Sequence, residues 1–151
     1  WRGNYPPDVF TGQFQKIADG FDAALATLRA AVEKVTIDTA QRAALDEEIG
    51  VADACAIHFR SVENQCRFVM DRDALAKAAA KKDAEAIIAR LKDRLNNEME
   101  LAKRLYAIQT RDSRIGFEAS NHYFYVPLDL VAKVIDCRYL LDQWITAELA
   151  K

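Results

Sequence analysis

The feature that most constrains the fold is a run of apolar residues at alternating intervals of four and three. Such spacing places the apolar side chains on one face of an α-helix, and that face needs a partner surface to cover it. The 151 residues include only five glycines and three prolines, so the turn residues that an all-β fold requires are scarce. The sequence therefore predicts an all-α fold. In the first segment the apolar residues are Phe10, Phe14, Ile17, Phe21, Ala24, Leu28, Ala31 and Val35.

Local signals indicate where the first three helices begin. Pro7 suits the first position of a helix, because its missing N–H would have no partner there. Asp38 is followed three residues later by Gln41, which predicts a capping box at the start of the second helix. We expect that helix to continue through an alanine-rich segment to a polar turn at residues 81–83, where the third helix begins.

The last part of the chain predicts a fourth helix. The third helix is expected to end near Gly116, since glycine readily adopts the left-handed conformation that terminates helices. Pro127 then opens the fourth helix. Four long helices with short connections predict an antiparallel four-helix bundle, in one domain spanning residues 1–151. The residues expected to face inward on the fourth helix are Leu128, Val131, Val134, Ile135, Leu141, Trp144 and Ile145.

The connection from Arg111 to Pro127 combines polar and aromatic residues, and we expect an ordered loop before the last helix. Arg, Asn, His and Tyr together are typical of sugar-binding or peptide-binding contacts. The alternative is a connection that satisfies its own polar groups, with Glu118 paired to Arg114. The candidate binding residues of this loop are Arg114, Glu118, Asn121, His122 and Tyr123.

A second candidate lies on the second helix, where Arg60, Asn64, Arg67 and Asp71 recur at intervals of four, three and four. This spacing forms a polar stripe on one face. One interpretation is a solvated face with internal ion pairs. The other is a partly buried polar seam that meets Glu98 or Glu100 on the third helix, or a partner surface.

Several function classes receive no support. The net charge is −2 with both signs interspersed, which argues against a nucleic-acid-binding surface. No apolar run approaches the roughly 20 residues that span a bilayer. The only histidines, His58 and His122, lie on different segments, and neither a metal-binding motif nor a Gly-rich phosphate loop is present. We therefore expect no metal, no cofactor and no catalytic residue in this chain.

The cysteines favour buried free thiols. Cys55 and Cys66 are too far apart on one helix to bridge each other, at about 16 Å along its axis. Cys137 lies on another helix and could meet either of them.

Three strings, WRGNYP, HFRSVENQCRF and DSRIGFEASNHYFYVPLDLVAKVIDCRYLL, resemble the C-terminal helical region of large bacterial glycoside-hydrolase-like multidomain proteins. The resemblance covers nearly the whole chain, and SRIGFEASNHYFY is its most specific part. It implies a non-catalytic accessory domain that packs against an upstream catalytic domain of the same polypeptide. The start at Trp1 fits a fragment cut at a domain junction, and a signal peptide on the parent would imply a periplasmic or secreted protein.

Three functional hypotheses follow. The first is an accessory domain of a carbohydrate-processing protein, which docks against the catalytic domain or binds a saccharide. The alternative is a protein-interaction or sensor-type bundle with no carbohydrate role. A third is that Glu118 or His122 reaches into the active site of a neighbouring domain.

Overall fold

The structure, a computed structural model, describes residues 3–118 and 123–150. Within these residues the chain forms four long helices, a π-helical turn and a short final helix, so the predicted all-α helical bundle is confirmed. The long helices are α1 (Pro7–Val32), α2 (Thr39–Leu75), α3 (Lys81–Gln109) and α4 (Pro127–Tyr139), followed by the π turn (Leu140–Trp144) and α5 (Ile145–Leu149).

Two predicted helix starts are confirmed in detail. Pro7 is the first residue of α1. At the start of α2, the Asp38 carboxylate accepts a hydrogen bond from the Gln41 N–H at 2.8 Å, and the Gln41 side chain accepts one from the Asp38 N–H at 3.1 Å. This capping box satisfies two of the N–H groups that a helix start leaves unpaired.

The predicted turn at 81–83 is wrong, because α2 already ends at Leu75 and α3 begins at Lys81. Alanine favours helix, so no local signal marks the break in this segment. Leu75 and Ala78 both pack against the apolar cluster at this end of the bundle. We infer that tertiary packing sets the position of the turn.

The predicted end of α3 near Gly116 is also wrong, since α3 ends at Gln109. Beyond it, the Thr110 hydroxyl donates to the carbonyls of Tyr106 and Ala107 at 3.0 and 3.1 Å. The Tyr106 carbonyl also accepts the Thr110 N–H at 3.0 Å, and the Ala107 carbonyl accepts from Arg111 Nε at 3.2 Å, so side chains share in capping the last turn. Gly116 does have a positive φ of 91°, but it serves a later turn of the chain.

The long helices pack in chain order, with α1 on α2, α2 on α3, and α3 on α4. Among the described helices, α1 packs against α2 alone, so only a narrow face of it is covered. That face is rotated by one residue from the predicted one, and Ile17 of the predicted face is 40% exposed. The buried residues of α1 are Thr11, Ala18, Leu25 and Val32.

Two clusters of buried apolar residues form the core of the described part of the chain, and α3 contributes to both. The first joins α2, α3 and α4 near the connecting segment: Ala54, Ile57, Leu101, Ala102, Leu105, Ile108 and Leu130. The second joins α3 to the C-terminal helices: Ile87, Ile88, Leu91, Leu95, Met99, Cys137 and Ile145.

The inward face predicted for the fourth helix is partly wrong. Ile145 is buried as predicted, whereas Leu128, Val131 and Ile135 are exposed. Leu130 and Cys137 are buried instead. Helix α4 has apolar residues on more than one side, and its contact with α3 covers the side that carries Leu130.

The connecting segment contains a short strand pair where the sequence predicted only a loop. Phe117–Glu118 pairs with Tyr123–Phe124 in antiparallel register. The Tyr125 N–H donates to the Gly116 carbonyl at 2.7 Å, which continues the pairing toward α4. None of the helices described in residues 3–118 and 123–150 is long and apolar enough to cross a membrane.

Candidate functional site

A buried carboxylate, Glu98 of α3, lies where α2, α3 and α4 meet, and only 6% of the residue is exposed. It accepts hydrogen bonds from the Ser61 hydroxyl, from the Lys133 ammonium group, and from Asn64 Nδ2 at 3.0 Å. Lys133 also donates to Ser61 Oγ at 2.9 Å. A buried charge is tolerated when it is paired and fully hydrogen-bonded, and Glu98 meets both conditions. We call Ser61, Asn64, Glu98 and Lys133 the polar centre.

Lys133 remains protonated in this arrangement. Burial lowers the pKa of its amino group, but the charge of Glu98 and the hydrogen bond to it outweigh burial and raise the pKa above its usual value. The ammonium group also lies 5.1 Å from the centre of the Tyr125 ring, at cation–π distance. The polar centre is therefore a hydrogen-bonded ion pair.

A groove of about 500 Å³ lies directly over the polar centre, between α2, α3 and α4. Asn64, Glu98 and Lys133 line its base. Ligand sites typically occupy about 300–1,000 Å³ and combine apolar walls with a few fixed polar groups. The groove fits this description. Its apolar walls are formed by Phe68, Val69, Leu95, Ala132 and Leu140.

Two groove residues present oxygen atoms that no described residue satisfies. Asn64 uses its amide nitrogen for both Asn97 Oδ1, at 2.7 Å, and Glu98, whereas its Oδ1 accepts no hydrogen bond within the described ranges. The Asp136 carboxylate, on the α4 side of the groove, has no ion pair or hydrogen bond among those residues. Both oxygen-bearing groups can therefore accept hydrogen bonds from a ligand.

Formal charges cancel around the groove. Three cationic side chains and three carboxylates are found among the described residues that line it. A site of this kind has no net attraction for either an anion or a cation. The six charged residues are Arg72, Arg94 and Lys133, and Glu98, Asp129 and Asp136.

The residues of the predicted polar stripe on α2 contact two different helices, α1 and α3. Arg67 donates to Glu63 at 2.8 Å and to Gln15 of α1 at 2.9 Å. Arg60 donates to the same Glu63 at 3.0 Å and to Asp22 of α1 at 3.1 Å. Both arginines therefore link α2 to α1 through hydrogen bonds, and both lie away from the groove.

Asn64, by contrast, turns toward α3 and makes the contact with Glu98 that the seam interpretation predicted. It is the member of the stripe that lines the groove.

The candidate binding residues of the connecting segment do not come together in a site within the described residues. Arg114 is exposed and donates to the Asp112 carboxylate at 2.8 and 2.6 Å. This guanidinium lowers the pKa of Asp112 to about 2. Glu118 and Tyr123 lie in the two short strands, while Asn121 and His122 lie outside the described residues. Their role in binding stays a prediction.

All three cysteines are free thiols, and Cys137 is the buried one. Burial, and then the negative charge of Glu98, raise the pKa of Cys137 to about 11. At pH 8 only about one Cys137 thiol in a thousand is then ionised, and the thiolate is the reactive form.

We therefore expect Cys137 to resist alkylation by iodoacetamide in the folded protein at pH 8. Mass spectrometry of the labelled peptides measures this, and labelling in concentrated urea is the control, where Cys137 should react like Cys55. Equal labelling of Cys137 and Cys55 in the folded protein would contradict the burial of Cys137.

No group of three or more His, Cys, Asp or Glu side chains within the described ranges could hold a metal ion. The sequence matches no protein-family model and no curated protein, and the fold matches no solved structure, so the resemblance to glycoside-hydrolase-like proteins stays a prediction.

Proposed function

We propose that this chain is a non-catalytic helical accessory domain that binds a short, uncharged saccharide in the groove between α2, α3 and α4. We place it in a bacterial, glycoside-hydrolase-like carbohydrate-processing protein, on the resemblance of its sequence. The observation that carries the binding proposal is the groove itself. It joins the amide oxygen of Asn64, which accepts no hydrogen bond from a described residue, to an apolar wall over a polar base.

A saccharide matches both parts of this surface. Its hydroxyl groups donate and accept hydrogen bonds, and its ring presents C–H groups that pack on apolar side chains. Asn64 Oδ1 and the Asp136 carboxylate offer acceptors. Arg94, which lines the groove, uses its Nε for Asp71 at 2.9 Å, and its terminal nitrogens remain as further donors. Phe68 provides the largest apolar side chain of the wall.

The cancelled charges favour an uncharged ligand. A nucleotide or another polyanion would bring several negative charges to a site whose arginines are balanced by carboxylates. Desolvating those charges without a matching excess of cations is unfavourable. Neutral hydroxyl groups avoid this cost and still use the polar atoms of the groove.

The polar centre supports binding rather than turnover. Glu98 and Lys133 neutralise each other and fix Asn64 at the base of the groove. Rigid placement of a binding group lowers the entropic cost of capturing a ligand. In this proposal the reaction belongs to an upstream catalytic domain, and this domain holds the saccharide.

Titration calorimetry with a panel of neutral mono- and disaccharides tests the proposal, and we expect at least one of them to bind. Asn64→Ala should then weaken the binding of that saccharide by about fivefold, since a lost hydrogen bond is worth on the order of 1 kcal/mol. Asn96→Ala is the matched control, because Asn96 is an exposed asparagine of α3 that does not line the groove.

Because Asn64 also contacts Glu98, Asp136→Ala provides a second variant outside the polar centre. Thermal unfolding of each variant separates lost binding from lost folding. Failure of every saccharide to bind would overturn the saccharide proposal. Binding that is unaffected by both groove variants would move the site elsewhere.

A further inference from the structure

A smaller depression of about 300 Å³ adjoins the groove on the side of α2 and α3. Asn64 and Arg94 line both the groove and this depression, so these two side chains lie at the junction between them. We call the smaller cavity the side depression. Because it adjoins the groove, one elongated ligand can reach both. The other side chains that line it all belong to α3: Arg90, Asp93 and Asn97.

The side depression differs from the groove in its chemistry. The groove has an apolar wall, whereas every side chain that lines the side depression carries a polar group. The apolar face of a ligand therefore has a packing surface in the groove alone. Whatever part of a ligand enters the side depression is recognised through hydrogen bonds.

Each of the three α3 residues keeps a polar group without a partner in the part of the chain that the structure describes. Asn97 Oδ1 accepts from Asn64 at 2.7 Å, which leaves the Asn97 amide nitrogen as a donor. Arg90 uses Nε and Nη2 for Asp71, at 3.0 and 2.8 Å, and keeps Nη1. The Asp93 carboxylate accepts no hydrogen bond from a described residue. Sugar hydroxyls suit this mixture, because each hydroxyl both donates and accepts.

Asp71 of α2 holds the two arginines of the side depression in place. Only 8% of Asp71 is exposed, and its carboxylate accepts from Arg90 through one oxygen and from Arg94, at 2.9 Å, through the other. Charge-assisted bonds of this kind fix the orientation of a guanidinium group. Donors that are fixed before binding lose less conformational entropy when a ligand is captured. Asp71 and Asp93 also balance the charges of the two arginines, so the side depression carries no excess charge.

We propose that the side depression is a second sugar subsite, and that the ligand of this chain is a neutral disaccharide or a longer oligosaccharide. One ring packs on the apolar wall of the groove, and the next ring places its hydroxyls in the side depression. The glycosidic bond then lies near Asn64 and Arg94. This inference rests on the proposed saccharide function and adds a length requirement to it.

Titration calorimetry with sugars of one and two units tests the length requirement. The probes are glucose with maltose and with cellobiose, and N-acetylglucosamine with its β-1,4-linked dimer. In the series that binds, the disaccharide should bind at least about tenfold more tightly than its monosaccharide, because the second ring adds two or more hydrogen bonds. Ligand-observed NMR measures monosaccharides that bind too weakly for calorimetry.

Two substitutions separate the two subsites. Asp93→Ala removes an acceptor that no described residue uses, and Arg90→Ala leaves Asp71 paired with Arg94. Each should weaken the disaccharide by about fivefold and leave the affinity for the monosaccharide unchanged. The matched control is Asp46→Ala, an exposed aspartate of α2 that lines neither cavity and should change neither affinity. Thermal unfolding shows whether each variant remains folded.

The results distinguish this inference from the function on which it rests. Equal affinities for the monosaccharide and the disaccharide would overturn the second subsite and leave the groove proposal standing. A disaccharide that is weakened by Asn64→Ala but by neither Asp93→Ala nor Arg90→Ala would do the same. If no saccharide of either length binds, the proposed function itself fails, and the second subsite fails with it.

Discussion

Lys133→Ala is expected to destabilise the fold by about 3–5 kcal/mol, the cost of removing one partner from a buried ion pair. The variant leaves the Glu98 carboxylate buried with hydrogen bonds from Ser61 and Asn64 but without its cation. Chemical denaturation with urea measures the change in the free energy of unfolding. The matched control is Lys103→Ala, which removes an exposed ion pair with Glu100 and should cost about 0–1 kcal/mol.

A double variant separates the role of charge from that of packing. Glu98→Leu combined with Lys133→Met removes both charges, and replacement of a whole buried pair by apolar residues is often neutral or stabilising. The double variant should therefore be more stable than Lys133→Ala alone. If Lys133→Ala lowers the free energy of unfolding by no more than Lys103→Ala does, the polar centre is open to water. The base of the groove is then not the rigid surface that saccharide binding requires.

Local sequence signals predicted helix starts correctly where a residue constrains or contacts the backbone within a few positions of itself. Pro7 and the Asp38–Gln41 capping box mark helix starts through contacts within a few residues. The turn after Leu75 has no such signal, because it lies in an alanine-rich segment that could continue as helix. Its position depends on how α2 and α3 pack. The spacing of apolar residues along the sequence does not determine that packing.

The face of α4 could not be chosen from its sequence because two apolar faces compete. Leu128, Val131 and Ile135 have the regular spacing of a buried seam, yet the core takes the side of Leu130 and Cys137. Leu128, Val131 and Ile135 remain exposed on the other side of the helix. The most regular apolar spacing therefore does not identify the buried face of this helix.

The candidate site was predicted in part. The polar spacing on α2 led to Asn64 and to its contact with Glu98. Lys133 was missed, although a lone lysine among the apolar residues of α4 was a usable signal. The groove requires three helices to converge, and their relative placement has no local signature. Arg60 and Arg67 share the spacing of Asn64 but contact α1, because they lie on the other side of the stripe.

The connecting segment depends on one glycine, and Gly116→Ala is expected to destabilise the protein by about 2–5 kcal/mol. Gly116 has φ 91°, a conformation that side chains with a Cβ rarely adopt. A Cβ there would also collide with the Gln109 side chain and with the Tyr125 carbonyl. Gln109 Nε2 donates to that same carbonyl at 2.6 Å, so a shift of either group strains a partly buried hydrogen bond.

The matched control is Gly20→Ala in α1, where an added Cβ meets no atom within 4 Å. In a helix this change should stabilise by about 0.5–1 kcal/mol, because alanine loses less backbone freedom than glycine. Urea denaturation should give changes in the free energy of unfolding of opposite sign for the two substitutions. That result would show that the effect at Gly116 comes from its conformation and the surrounding atoms, and not from the loss of a glycine in general. The effect should also reach the polar centre, since the Tyr125 ring lies next to Lys133. A Gly116→Ala protein as stable as the wild type would mean that the chain does not turn here as described, and the placement of Tyr125 beside the polar centre would then lose its support.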